Sequence, residues 1–210
     1  MAFRAVAWDL DGTLIESEGL HLLALVESSA AFGVDLSDLP DDAFRGVNIL
    51  DVWNALRPRF PDGAERDAWL QAIERFYVGR AAGLAPALSA VETVRLLAAR
   101  GIAQACVSNS GRAIVDANLD ALGIRKAIAF SISLDDVFAG KPDAEPFREA
   151  ARRFALPART IVAVEDSVAG ARSAREAGLY VVGYAPHGGA FIECDRSIAR
   201  LSEIQTIFEV

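Results

Sequence analysis

Two carboxylates, Asp9 and Asp11, close the apolar run "VAW" and are followed at once by Gly12 and Thr13. A lone acid at the end of a strand signifies little, but polar groups recur after three further β-rich runs. Ser108, Asn109 and Ser110 follow one, Lys141 follows another past a loop, and Glu165, Asp166 and Ser167 follow a third. Four carboxylates in one crevice would repel and raise one another's pKa unless a cation neutralised them. An oxygen-only set suits Mg2+, which completes its shell with water and substrate phosphate. Lys141 is a second positive centre, and Ser108 and Asn109 are hydrogen-bond donors. This inventory fits phosphoryl transfer, where catalysis is positioning plus neutralisation of phosphoryl oxygens. Asp9 is the candidate nucleophile, forming an aspartyl-phosphate. Asp11 would protonate the leaving oxygen and later deprotonate the attacking water, and Gly12 would permit the tight turn this needs.

These residues need a scaffold that brings strand ends together. Residues 3–8, 103–108, 127–132, 160–165 and 180–184 read as strands, most of them continuously apolar, as strands buried on both faces should be. Helical periodicity fills 89–100, 111–122, 145–154 and 167–177, with Gly101, Gly123 and Gly178 as stop signals. Strand alternating with helix predicts an α/β fold: a Rossmann-like parallel sheet with helices on both faces. Ligands of such sheets bind beyond the carboxyl ends of the strands, where these polar residues lie. Residues 17–83 break the rhythm, with helical patterns at 19–32, 51–56 and 66–82 and no convincing strand. A connection that long should be a small domain. The expected division is a core of 1–16 and 84–210 with an inserted all-helical domain of 17–83, and hinges near 15–17 and 84–86. Trp53, Trp69 and Phe76 read as the inserted domain's core, and the acidic run 35–42 as a solvated connection. The tail from residue 186 is poorly patterned.

The 210 residues are 52% hydrophobic and 24% charged, a globular composition. A net charge of −8 argues against a nucleic-acid surface, though an anionic substrate can still be met locally. The two cysteines, Cys106 and Cys194, form no disulfide framework, and Cys106 reads as a small core residue. No apolar run approaches the roughly 18 residues of a membrane span, and the start of the chain is not a signal peptide. A cytoplasmic setting, with neither membrane nor nucleic-acid partner, is the default.

The chain resembles the haloacid dehalogenase superfamily over essentially its whole length. "DLDGTL" (9–14), "VSNS" (107–110), "GKPDAEPF" (140–147) and "VEDSVAGARSAREAG" (164–178) match its four motifs in order and spacing. The resemblance implies that the helical block is a cap. It further implies Asp9 as nucleophile and metal ligand, Asp11 as general acid/base with its main-chain carbonyl on the metal, and Ser108 and Lys141 as holders of the phosphoryl group. Asp166 would bind Mg2+, with Glu165 as a direct or outer ligand. Asp11 argues against the superfamily's metal-independent dehalogenases, and the lack of lysine in 17–83 argues against its phosphonatases. His21 stands where β-phosphoglucomutases carry a cap histidine, ten residues after Asp11. However, Ile49 stands where they carry a phosphate-binding arginine, three residues after a cap glycine (here Gly46). The stretch 44–53 looks more like that of sugar-phosphate or 6-phosphogluconate-type phosphatases. The expectation is a Mg2+-dependent phosphatase for a small phosphorylated metabolite, with Asn109, His21 and Arg45 as substrate contacts. The alternatives are a hexose-phosphate mutase and an idle metal-binding regulator.

Overall fold

The computed structural model describes residues 2–40, 43–44, 47–188 and 193–208. Strand β1 (Ala5–Trp8) leads through the helices α1 (Glu18–Ala31), α2 (Ile49–Leu56), α3 (Arg66–Val78) and α4 (Ala90–Ala99). Alternation then sets in: β2 (Ala103–Val107), α5 (Arg112–Leu122), β3 (Phe130–Ile132), α6 (Glu145–Phe154), β4 (Ile161–Glu165), α7 (Val168–Glu176), β5 (Tyr180–Tyr184) and β6 (Arg196–Ile198). The sheet runs β3-β2-β1-β4-β5-β6, and all its pairings are parallel. The fold is therefore the expected Rossmann-like α/β architecture. Chain order reverses at β1, which lies between β2 and β4, and this is where such sheets open a crevice for ligands.

Period-two alternation distributes the sheet between two cores. Val6 and Trp8 of β1 join Val162, Val164 and Val182 in a cluster with Val94 and Leu97 of α4 and Val115 and Leu119 of α5. On the other face Ala5, Ala7 and Ala163 join Phe147 of α6 and Ala171 and Ala174 of α7. The small residues let α6 and α7 approach the backbone closely. The buried Gln104 side chain is satisfied, accepting from Trp8 Nε1 at 2.9 Å and donating to the Val94 carbonyl at 2.9 Å. Cys106 is buried, as expected, and burial pushes its thiol well up.

The helical block has a hydrophobic core of its own, built from Leu25, Val52, Trp53, Phe60, Trp69, Ile73 and Tyr77, and joined by Ile114 of α5. Trp53 and Trp69 are buried there with ring centroids 5.3 Å apart, while Phe76 packs at its edge under the Arg80 guanidinium. The two connections between block and sheet run side by side. Glu16 N–H donates to the Ala85 carbonyl at 3.0 Å, and Ala87 N–H to the Leu14 carbonyl at 3.0 Å.

Several elements depart from the sequence expectation, β1 among them, which starts only at Ala5. β3 is shorter, because 125–127 close a 3-10 turn before it. α3 ends at Val78 before Gly79, and residues 81–83 form a separate 3-10 turn. α2 begins at Ile49, because the Asn48 side chain caps it by accepting from Leu50 N–H at 2.9 Å. The tail contains β6 and a 3-10 stretch over 201–207. Arg45 lies outside the described residues.

Candidate active site

Four strand ends converge at the carboxyl edge. Asp9 is held by its backbone N–H, which donates to the Val164 carbonyl of β4 at 2.9 Å. Ser108 is tied to β3 through its N–H and the Ile132 carbonyl at 2.9 Å. Gly12 has φ +80, and a Cβ there would lie 2.3 Å from Asp166 Oδ2, so only glycine allows this turn to pass so close to that carboxylate. Gly170 plays the same part for Glu165, whose Oε2 would lie 1.9 Å from an added Cβ. Ser167 caps α7 by accepting from Gly170 N–H at 3.1 Å, which fixes the helix beginning directly after Asp166.

Asp9, Glu165 and Asp166 each offer a carboxylate oxygen within 4.8 Å of the others. Lys141, almost fully buried, reaches into this group. Its Nζ lies 2.7 Å from Asp9 Oδ1, 2.7 Å from the Val107 carbonyl and 2.5 Å from Glu165 Oε1. One ammonium does not balance three carboxylates. Burial, with the charges of neighbouring acids adding to it, holds Asp9 and Glu165 above the usual carboxylate range despite Lys141. Asp166 is pushed up to about 7 by burial and then by Asp9. Buried oxygen donors with excess negative charge are the chemistry of a hard divalent cation site, so these residues fit a divalent metal ion.

Asp11 stands apart from that group. Its Oδ1 accepts from Ser17 Oγ at 2.8 Å and Asn118 Nδ2 at 2.9 Å, and lies 3.0 Å from His21 Nε2. Its Oδ2 accepts from Ser108 Oγ at 3.1 Å and Ser110 Oγ at 2.9 Å. Burial works against ionisation here, but His21 and the hydroxyl donors outweigh it and hold the carboxyl well below its usual range. The reciprocal pull of Asp11 raises His21 despite burial. His21 comes from α1 in the helical block, and its ring stacks against Tyr77 of α3 with centroids 4.5 Å apart. Tyr77 Oη donates to Asn118 Oδ1 at 3.0 Å, which turns the amide so that its NH2 faces Asp11.

The structure thus brings Asp9, Asp11, Ser108, Asn109, Lys141, Glu165 and Asp166 to one edge of the sheet, with His21 reaching in from the block. Tyr77 and Asn118 were not anticipated. A signal for Asn118 was present: it falls among Ile114, Val115, Leu119 and Leu122 on the buried face of α5, where an unpaired amide would be costly.

The family model of haloacid dehalogenase-like hydrolases matches residues 3–178. The chain belongs to this family and is an enzyme of the hydrolase class. Among its relatives, Hexitol phosphatase B of Escherichia coli (strain K12) is 28% identical, the alignment covering 95% of this chain and 93% of that protein. Protein CbbY of Rhodobacter capsulatus is 29% identical over 87% of this chain and 85% of its own. The crystal structure of CbbY from Rhodobacter sphaeroides in complex with phosphate superposes with a TM-score of 0.87 at 26% identity, covering 96% of each chain. A mutant of that CbbY in complex with xylulose-(1,5)bisphosphate gives a TM-score of 0.88 at 25% identity, covering 99% of this chain and 100% of its own.

Proposed function

We propose that this enzyme hydrolyses phosphomonoesters of small, sugar-like metabolites with the help of Mg2+. The observation that carries the reading is the buried group of Asp9, Glu165 and Asp166 with the Lys141 ammonium 2.7 Å from Asp9, set at the crevice where strand order reverses. The family's relatives include a hexitol phosphatase, which supports a phosphorylated polyol or sugar as the substrate class.

Asp9, Asp166 and Glu165 would hold the cation, joined by the Asp11 main-chain carbonyl. When bound, it neutralises the three carboxylates and the phosphoryl oxygens. In the first step Asp9 attacks phosphorus, the ester P–O bond breaks, and the leaving oxygen takes a proton from Asp11. Asp11 is held ionised at rest, so His21, 3.0 Å away, supplies that proton as charge builds on the leaving oxygen and takes it back from Asp11 after the second step. Lys141 and Ser108 hold the phosphoryl oxygens. In the second step Asp11 takes a proton from water, which attacks phosphorus and releases phosphate and free Asp9. The helical block, 17–83, acts as a cap that excludes bulk water and selects the substrate through His21 and Arg45.

A screen of phosphate release across sugar phosphates, polyol phosphates, nucleotides and phosphoglycolate, with and without Mg2+, tests this reading. Release from a sugar or polyol phosphate that disappears on chelation and in Asp9→Asn is expected. Activity persisting in Asp9→Asn overturns the nucleophile, and full activity in chelator overturns the cation. Isomerisation of a hexose phosphate without release would instead identify a mutase.

A further inference from the structure

Asn109 follows Ser108 at the end of β2, a position where its amide could face the substrate. The structure uses that amide elsewhere. Oδ1 accepts from the Lys141 backbone N–H at 2.7 Å, and Nδ2 donates to the Lys141 carbonyl at 2.9 Å. A side-chain amide that bonds both the donor and the acceptor of one residue fixes that residue's position and orientation together. Gly140 makes the approach possible: a Cβ there would lie 2.7 Å from Asn109 Oδ1 and 2.7 Å from Leu134 Cδ1. Beyond the clamp, the Lys141 ammonium is held by Asp9, the Val107 carbonyl and Glu165. A lysine stem is long and flexible, so the place of its ammonium depends on where the backbone starts the stem as well as on the groups that hold its head. The carboxylates pin one end and Asn109 pins the other.

We propose that Asn109 is a positioning residue that acts on the phosphoryl group only through Lys141, and is not itself a substrate ligand. The proposal rests on the phosphatase reading above. It follows that Asn109 matters only as long as Lys141 is present.

A double-mutant cycle in kcat/KM, with Mg2+ present and activities corrected for folded fraction by thermal denaturation, tests this. Asn109→Ala should lower kcat/KM about 10- to 100-fold, the scale set by displacing a catalytic group by about 1 Å. Lys141→Ala should cost more. The double variant should lie within about 2-fold of Lys141→Ala alone, because the clamp then has nothing left to position. For variants too slow to assay, the same cycle is read in the affinity for inorganic phosphate by calorimetry. Gly140→Ala, which keeps the Asn109 amide but crowds Oδ1, should reproduce the Asn109→Ala loss in direction. Losses that multiply in the double variant, or wild-type kcat/KM in Gly140→Ala, overturn the clamp while leaving an Asp9-dependent phosphatase in place. Phosphate release that survives Asp9→Asn overturns the underlying reading and the clamp with it.

Discussion

Single residues set the tolerances of this site. Gly12 and Gly170 are bare because carboxylates occupy the space where a Cβ would sit, 2.3 Å away in one case and 1.9 Å in the other. Gly12→Ala adds the strain of φ +80 to that clash. It should cost about 1–3 kcal/mol, read as a lowered urea midpoint, together with a fall in turnover as Asp166 is displaced. A wild-type midpoint would show that the carboxylate has somewhere else to go. Asp136 bears on stability in acid. Burial works to raise its pKa, but Ser133 N–H at 2.8 Å, Ser133 Oγ at 2.7 Å and the Arg112 guanidinium outweigh it and hold it at about 2. A depressed carboxylate contributes stability that is complete above its ordinary value of 3.8 and is lost as pH falls through about 2. Urea midpoints measured between these two values should therefore fall less steeply in Asp136→Asn than in the wild type. Equal slopes would remove Asp136 from the acid sensitivity.

Helices and strands place those residues, and they differ in how plainly the sequence announces them. β5 and α6 coincide with their patterns from end to end, because one is a continuous apolar run and the other a clean amphipathic stripe. β6 escaped because it is a three-residue edge strand in which Arg196 is half-buried and Ser197 exposed, leaving Ile198 as its one buried side chain. The four motifs made the carboxylates and Lys141 legible, since each follows a strand. Asn118, which bonds Asp11, and Tyr77, which orients it, were not, because α3 and α5 meet only in three dimensions: these two residues are 41 apart. The destination of the Asn109 amide was equally hidden, depending as it does on a loop 32 residues away. Two substitutions probe the helical block. Trp69→Ala removes a fully buried indole that donates to Ser29 Oγ at 3.1 Å, and should cost about 3–5 kcal/mol. Tyr77→Phe keeps the ring against His21 and removes only the hydroxyl. It should cost about 1 kcal/mol and alter turnover more than KM, because it frees the Asn118 amide beside Asp11. An unchanged kcat would confine Tyr77 to packing.

At the level of the whole molecule, the net charge of −8 and the buried acidic group point the same way. A cation that binds the folded state and not the unfolded chain stabilises by mass action, by about 2.7 kcal/mol at a hundredfold excess over its Kd. Saturating Mg2+ should therefore raise the thermal midpoint, and Asp166→Asn should blunt that rise. An identical rise in the variant would place the binding elsewhere. Among the described residues no helix is long and apolar enough to cross a membrane.

The paired connections at Leu14–Glu16 and Ala85–Ala87 have a consequence for how such an enzyme can change. Because the helical block is entered and left through two segments joined by a pair of backbone hydrogen bonds, its two ends are held as neighbours. The sheet sees a closed stitch, so residues can be gained or lost beyond it without moving Asp9 or Lys141. Lengthening such an excursion costs only about 0.6 kcal/mol per doubling in closure entropy. If the block selects the substrate as proposed, that choice can drift apart from the chemistry, like an interchangeable intake on an engine flange.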